Sequence, residues 1–130
     1  MSKFKVTVDE DLDLRIVQIL DKVTRDEIAD FFEQKFLSRV TQNLIWNLAP
    51  GSLQLLSMEE LKELMVGRRD YIRQRDGGNT VFVAHEKSEQ MLTKWYKSFA
   101  ETLDFHSVNY SVAKTLDQAI AHIREHHNAG

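Results

Sequence analysis

The residues best placed for chemistry follow a predicted strand in the second half of the chain. Thr80 to Ala84 is a short apolar run, and His85 and Glu86 come directly after it. Open α/β sheets place ligand-binding groups where strands end, and a histidine there can act as a general base. No nucleophile is fixed by spacing, because Ser88 is explained more simply as a helix cap. His85 is therefore a candidate ligand-binding residue, and the sequence predicts no catalytic site.

Three leucines lie between Pro50 and Ser57, in a segment whose side chains could be exposed or buried. This loop follows a predicted strand, and such loops border the ligand-binding edge of open α/β sheets. Leu53, Leu55 and Leu56 could form an apolar patch that docks a partner, or they could pack under the following helix. The sequence favours neither arrangement, but at least one of the three leucines is expected to be partly exposed.

Two polar clusters are better explained by exposure to solvent than by a site. His122 and His126 lie one helical turn apart, and such a pair can bind a metal. However, the spacing is not that of His-Glu-x-x-His, and no further ligand is implied. Four arginines could hold a phosphate, but their place near a predicted helix C-terminus favours a solvated run: Arg68, Arg69, Arg73 and Arg75. No metal or cofactor is predicted.

One aromatic residue is a second candidate for ligand binding. Met91, Trp95 and Phe99 have the spacing of a buried helix face, so they are predicted to be core residues. Tyr96 lies beside that stripe and is the aromatic expected at the surface.

The periodicity of apolar residues predicts the order β-β-α-β-α-β-α-β-α. The predicted strands are 4–8, 14–20, 43–49, 80–84 and 108–112, and three capping boxes mark helix starts: Thr24 with Glu27, Ser57 with Glu60, and Thr115 with Gln118. A short gap makes the first two strands an antiparallel hairpin, and the alternation that follows demands parallel strands. We therefore expect a single α/β domain over residues 1–130, with one mixed, mostly parallel five-stranded sheet, helices packed on it, and a frayed tail at 125–130.

Composition limits the functions that are open to this domain. The chain has 130 residues, 42% hydrophobic and 28% charged, with a net charge of -3 and no cysteine. Disulfides and thiolate chemistry are excluded, and mild acidity gives no reason to expect nucleic-acid binding. No signal peptide or membrane-spanning run is visible, so the expected location is the cytoplasm, without membrane insertion.

This order of elements resembles the STAS-like superfamily, and within it the SpoIIAA-like branch, the fold of anti-sigma-factor antagonists. The resemblance covers nearly the whole chain and is carried by residues 22–24 before a helix, the strands 44–48 and 81–84, and the segment 115–120. It implies a sheet opened by a hairpin, which distinguishes the fold from receiver-like domains.

The resemblance also implies a function without chemistry. Members of the superfamily dock a partner, often a serine kinase, around the N-terminus of the second helix, and phosphorylation of a serine there switches binding. The matching candidate phosphoacceptor is Ser57, with Ser52 as the other hydroxyl of the loop. The chain departs from the usual pattern, since Leu-Leu-Ser-Met at 55–58 replaces Asp-Ser-Ser/Thr-Gly, and Asn47 replaces a strand-end acid.

We therefore expect a non-enzymatic regulatory module that docks an unidentified protein, a kinase or another regulator, through residues 50–60. The predicted contact residues are Leu53, Leu55, Leu56, Ser57 and Met58. The alternatives are a domain that binds a small apolar, lipid-like ligand between sheet and helices, and a small hydrolase using His85. An edge strand, either Phe4–Val8 or Val108–Val112, also leaves room for a homodimer.

Overall fold

The computed structural model describes residues 3–35, 40–67, 74–75, 77–85, 87, 90–91, 93–94, 97–98 and 108–128. Within these residues one five-stranded sheet carries helices on both faces. The strands are β1 (Phe4–Asp9), β2 (Leu14–Ile19), β3 (Asn43–Leu48), β4 (Asn79–Ala84) and β5 (Asn109–Ala113), and the helices are α1 (Arg25–Lys35), α2 (Met58–Val66) and α3 (Leu116–Asn128). The described positions between 87 and 98 are also helical.

The strands lie side by side in the order in which they occur in the chain, β1-β2-β3-β4-β5. β1 pairs with β2 in an antiparallel hairpin, and each later pair is parallel. The predicted α/β class, with a mixed and mostly parallel sheet, is therefore confirmed.

The two faces of the sheet are covered by different helices. In register across the sheet, Val17, Trp46 and Phe82 point to one face, where α1 supplies Phe31 and Phe32. The neighbouring positions point to the other face, where α3 covers them with its apolar side. Alternation of side chains along each strand therefore divides the core into two layers.

The first two predicted capping boxes are confirmed, and the third forms in part. The Thr24 and Glu27 side chains each accept a hydrogen bond from the other residue's backbone N–H, at 3.3 and 3.0 Å. Ser57 and Glu60 do the same. In the third box the Gln118 N–H donates to Thr115, but the Gln118 side chain accepts from Lys114 instead of Thr115. These contacts satisfy backbone groups that the first turn of a helix leaves open.

One predicted surface arginine lies in the interior. Arg75 is 2% exposed. Its guanidinium donates to the backbone carbonyls of Thr41 (3.1 Å), Gln42 (3.1 Å) and Asn79 (3.0 Å), where β3 and β4 begin. The expectation of a solvated Arg75 is wrong, because the guanidinium is buried and joins two strand starts. Arg68, Arg69 and Arg73 lie outside the described residues.

Glycine is needed at the same edge of the sheet. A Cβ added to Gly78 would lie 1.9 Å from the carbonyl oxygen of Gln42, so no larger residue fits without movement of the backbone. Gly77 has a φ of 81°, which favours glycine. The glycine pair therefore allows the backbone before β4 to approach the backbone before β3 closely.

Two other expectations need correction. Met91 is 72% exposed rather than part of the core. The tail does not fray at 125, since α3 continues to Asn128. Trp95 and Phe99 lie outside the described residues.

Candidate docking surface

The loop that joins β3 to α2 is built from successive tight turns. Ser52 N–H donates to the Ala49 carbonyl, Gln54 N–H to Gly51, and Leu56 N–H to Leu53, at 3.0 to 3.2 Å. Gly51 has a φ of 77°, a conformation that glycine adopts without steric cost. The backbone of the loop is therefore fixed by its own hydrogen bonds.

Contacts to neighbouring elements hold this loop against the body of the domain. The Val23 N–H donates to the Ser52 carbonyl at 3.1 Å, which joins the loop to the connection before α1. Leu53 and Leu56 are 6% and 7% exposed and pack in a cluster with residues of β2, β3, α1 and α2. An ion pair between Arg25 and Glu63 joins the start of α1 to α2 and raises the pKa of Arg25.

The same anchoring leaves two apolar side chains in solvent. Leu55 is 50% exposed and Met58 is 52% exposed, on either side of the exposed Ser57. We call Leu55, Ser57 and Met58 the α2-start patch. Because the backbone beneath these apolar groups is fixed, the loop loses less conformational entropy when a partner binds.

The structure removes three residues from the predicted surface. Leu53 and Leu56 are buried, so they support the loop and do not face a partner. Ser52 is fully buried, and no residue in the described part of the chain hydrogen-bonds its hydroxyl, so a kinase has no access to it in this conformation. The tight turns of the loop decide that these three residues are buried, and the types of residue in the loop do not reveal those turns.

Ser57 is the one predicted phosphoacceptor that solvent reaches. Its Oγ accepts from Glu60 N–H at 3.1 Å, and its own N–H donates to Glu60 Oε1 at 3.0 Å. Ser57 is therefore the cap of α2, as the spacing predicted. A phosphate added there would lie at a helix N-terminus, which favours negative charge.

His85 lies at the carboxyl end of β4 with its side chain exposed. Within the described ranges, no hydrogen bond or ion pair holds its imidazole ring. Glu86 and Ser88, the two neighbours considered with it, and Tyr96, the other candidate for ligand binding, lie outside the described residues. The structure thus places His85 at the expected edge and adds no partner for it.

The histidines of α3 form a local cluster. The rings of His122 and His126 stack with centroids 4.0 Å apart, and His122 Nε2 lies 3.4 Å from Ser111 Oγ on β5. Burial lowers the pKa of His122, and the nearby His126 lowers it further, while Glu125 acts in the opposite direction. No group of three or more acidic or histidine side chains in the described segments is arranged to hold a metal ion.

A groove of about 640 Å³ lies between β1 and α1. Its apolar side includes Phe4, Val6 and Val8 of β1, and the Phe4 ring stacks on Phe31 at a centroid distance of 4.2 Å. Its polar side includes Glu27 and other residues of α1, and Arg15 of β2 also lines it. A hydrogen bond from Lys3 lowers the pKa of Glu27. The groove was not predicted from the sequence. The alternate apolar residues of β1 are the one sequence feature that could have indicated it.

Comparison of the chain with protein-family models, with curated proteins and with solved structures finds no match. Among the described residues, no helix has both the length and the apolar character needed to cross a lipid bilayer.

Proposed function

We propose that this chain is a non-enzymatic regulatory module of the STAS-like, SpoIIAA-like kind, and that it binds another protein through the α2-start patch. The observation that carries the proposal is the exposure of Leu55 and Met58, each about half exposed, at the start of α2. Two large apolar side chains exposed three residues apart leave apolar surface in water, which costs free energy unless a partner covers them.

The support beneath the patch favours a protein partner. Leu53 and Leu56 are buried, so the loop presents Leu55 from a fixed backbone. Apolar groups surrounded by polar residues are typical of the centre of a protein interface, and Glu59 beside Met58 provides such a residue. The hairpin-first, mostly parallel sheet also agrees with the layout that the resemblance implies.

The proposal is tested by affinity capture from lysate of the source cell, with quantitative mass spectrometry of what is retained. Leu55→Asp and Met58→Asp should each reduce capture of the same partner at least tenfold, because a charge replaces an apolar contact. Aspartate at the first residue of α2 suits the helix dipole, so Met58→Asp should not weaken the helix. Met91→Asp is the matched control, since Met91 is an exposed helical methionine elsewhere.

Circular dichroism and thermal unfolding of each variant show that the fold is kept. If all three variants capture the partner as well as the parent chain does, the α2-start patch is not the docking surface. Equal losses for Met91→Asp and Met58→Asp would also contradict the proposal.

Phosphorylation of Ser57 is the switch that we propose for this surface. A phosphate would add about two negative charges between Leu55 and Met58, which opposes the burial of those side chains by a partner. Intact-mass analysis of the protein from its native cell, followed by fragmentation, should place a phosphate on Ser57. A protein that carries none under every growth condition tested would remove the switch while leaving the docking proposal in place.

Binding of a small apolar ligand is the second candidate function. The groove between β1 and α1 supports it through Phe4, Val6 and Val8. The lining also includes Arg15 and Glu27, and a lipid-like ligand would have to leave these polar groups hydrated. The groove therefore suits a peptide-like surface better than an apolar molecule. A hydrolase using His85 gains no support from the described residues, and we place it third.

A further inference from the structure

β1 is an edge strand of the sheet. Its six residues pair with β2 in an unbroken antiparallel register from Phe4 with Ile19 to Asp9 with Leu14, and β2 separates it from the rest of the sheet. The register has no bulge, and β1 has no proline. Bulges and prolines are two common means of preventing edge strands from pairing with another chain.

The backbone groups that face outward from β1 belong to alternate residues, among them Val6 and Val8. Leu20 N–H donates to the Lys3 carbonyl at 2.8 Å, so these two residues form a hydrogen-bonded pair. Such pairs alternate along an antiparallel ladder, which makes Lys5 and Thr7 the next residues bonded to β2. The N–H and C=O groups of Val6 and Val8 therefore point away from β2.

The side chains of the same two valines are exposed. Val6 is 38% exposed and Val8 is 39% exposed, and both line the groove below α1. An outward backbone ladder thus coincides with exposed β-branched side chains, which favour strand pairing. Lys5 is the one charged residue between Phe4 and Val8, and its side chain points to the opposite face.

We propose that β1 pairs antiparallel with β1 of a second copy of this chain, about a two-fold axis at Val6. In this register Val6 faces Val6, and Val8 faces Phe4 of the second copy. Lys5 faces Thr7, and Lys3 faces Asp9, so no like charges are opposed. The two sheets would then form one continuous ten-stranded sheet, because each copy contributes five strands.

The positions of the charged residues along β1 favour a second copy of this chain as the partner, paired in the register described above. Lys3 and Asp9 already have partners within the chain, so their pairing adds little attraction. What favours the pairing is that no two like charges lie opposite each other when β1 pairs with β1 of the second copy. A register centred on Lys5 would place two lysines opposite each other, and one centred on Val8 would leave most of the strand unpaired. A register centred on Thr7 also avoids a charge conflict, but it places Phe4 opposite Glu10, whereas the register at Val6 places Phe4 opposite Val8 and keeps the apolar residues together.

The second copy would also complete the groove. Side chains that alternate along β1 keep the same face in both copies, so Phe4 and Val8 of the second copy would continue the apolar side of the groove. Val6 and Val8 would become buried. A single strand pair buries less surface than a standard interface, so the dimer should dissociate on dilution.

Sedimentation velocity over a concentration series tests the proposal. The parent chain should approach twice the monomer mass as its concentration rises. Val6→Lys and Val6→Glu should each remain monomeric, because position 6 faces itself and like charges would be opposed. An equimolar mixture of these two variants should recover the dimer, since lysine then faces glutamate.

Position 8 provides the matched control. Val8→Lys and Val8→Glu should each weaken the dimer because a charge then faces Phe4 of the other copy, and their mixture should not recover it, because position 8 faces position 4 and not itself. A parent chain that stays monomeric at the highest concentration would overturn the proposal. A Val6→Lys variant that still dimerises, or equal recovery from the position 8 mixture, would also overturn it.

A second measurement covers the case in which these variants fail to fold. The chain contains no cysteine, so Lys5→Cys and Thr7→Cys each introduce the sole thiol. Positions 5 and 7 face each other in the proposed register, and an oxidised mixture of the two proteins should form the mixed disulfide in preference to either symmetric one. Absence of that preference would contradict the register. Leu55→Asp should dimerise normally, so failure here is distinct from failure of the docking proposal.

Discussion

At the scale of single residues, Arg75 shows how a polar side chain can hold a sheet together. Its guanidinium is buried and donates to three backbone carbonyls at the starts of β3 and β4. Buried carbonyls that lose their donors cannot turn to water, so their desolvation remains uncompensated. The side chain therefore supports the amino-terminal edge of the sheet, opposite the edge where the α2-start patch lies.

Replacing Arg75 tests this role. Arg75→Met keeps much of the side-chain volume and removes the donors, and we expect it to lower the free energy of unfolding by about 3 kcal/mol. Urea denaturation measures the change. Arg124→Met, at an exposed position of α3, should change the stability by less than about 0.5 kcal/mol. Equal effects of the two substitutions would show that the buried hydrogen bonds contribute nothing.

His122 is a second residue whose surroundings have a measurable effect. Burial lowers its pKa, and His126 adds to the shift. The unfolded chain therefore takes up a proton at higher pH than the folded chain does. Stability that is present above the unfolded pKa of about 6.5 should be lost as the pH falls through the lower folded pKa.

The corresponding experiment compares urea midpoints at about pH 7.5 and about pH 5. The parent chain should lose more stability between these values than His122→Gln, in which position 122 cannot titrate. A His122→Gln variant with the same pH dependence as the parent would show that another group is responsible.

At the scale of elements, the start of α2 combines two roles in one residue. Ser57 caps the helix through its contact with Glu60, and it also lies between the exposed Leu55 and Met58. A change at this position can therefore act on stability, on docking, or on both. Different side chains separate the two effects, because aspartate caps a helix nearly as well as serine while alanine does not.

We expect Ser57→Ala to lower the free energy of unfolding by about 1 kcal/mol and Ser57→Asp to leave it nearly unchanged. In the capture experiment the order should reverse. Ser57→Ala should retain the partner, and Ser57→Asp should weaken capture because it adds charge to the patch. Thermal unfolding and capture from one preparation of each variant give both results. Loss of capture by Ser57→Ala alone would show that the hydroxyl itself contacts the partner.

The sequence predicted the elements better than it predicted their surfaces. Capping boxes and alternating apolar residues are local patterns, so Ser57 and the strand runs were sufficient to place helix starts and strands. Exposure depends on what the rest of the fold brings nearby. Leu53 and Leu55 are both loop leucines, yet only the turns that fix the backbone decide that one is buried and the other exposed. Arg75 was misassigned for the same reason, since two of its three carbonyl acceptors, Thr41 and Gln42, lie 34 and 33 residues away in the sequence.

At the scale of the whole molecule, the sheet has a simple plan. Each strand pairs with the strand before it and the strand after it, from β1 to β5. The hairpin and the alternation of strands with helices were sufficient to predict a mixed sheet. The strand order could not be predicted in this way, because crossovers of the same length can also lead to other positions in a sheet. The sequence named β1 or β5 as an edge strand, and the observed order places both at the edges of the described sheet.

The division of the core into two layers has a consequence for synthesis on the ribosome. Each new strand of a nascent chain finds its neighbour already made, but among the described helices α3, which is made last, is the one that covers the face carrying Ile45, Val81 and Val83. Until then the growing polypeptide presents an apolar surface on which chaperones can act. A message that stops translation before position 116 would therefore yield an aggregating fragment and not a smaller working domain.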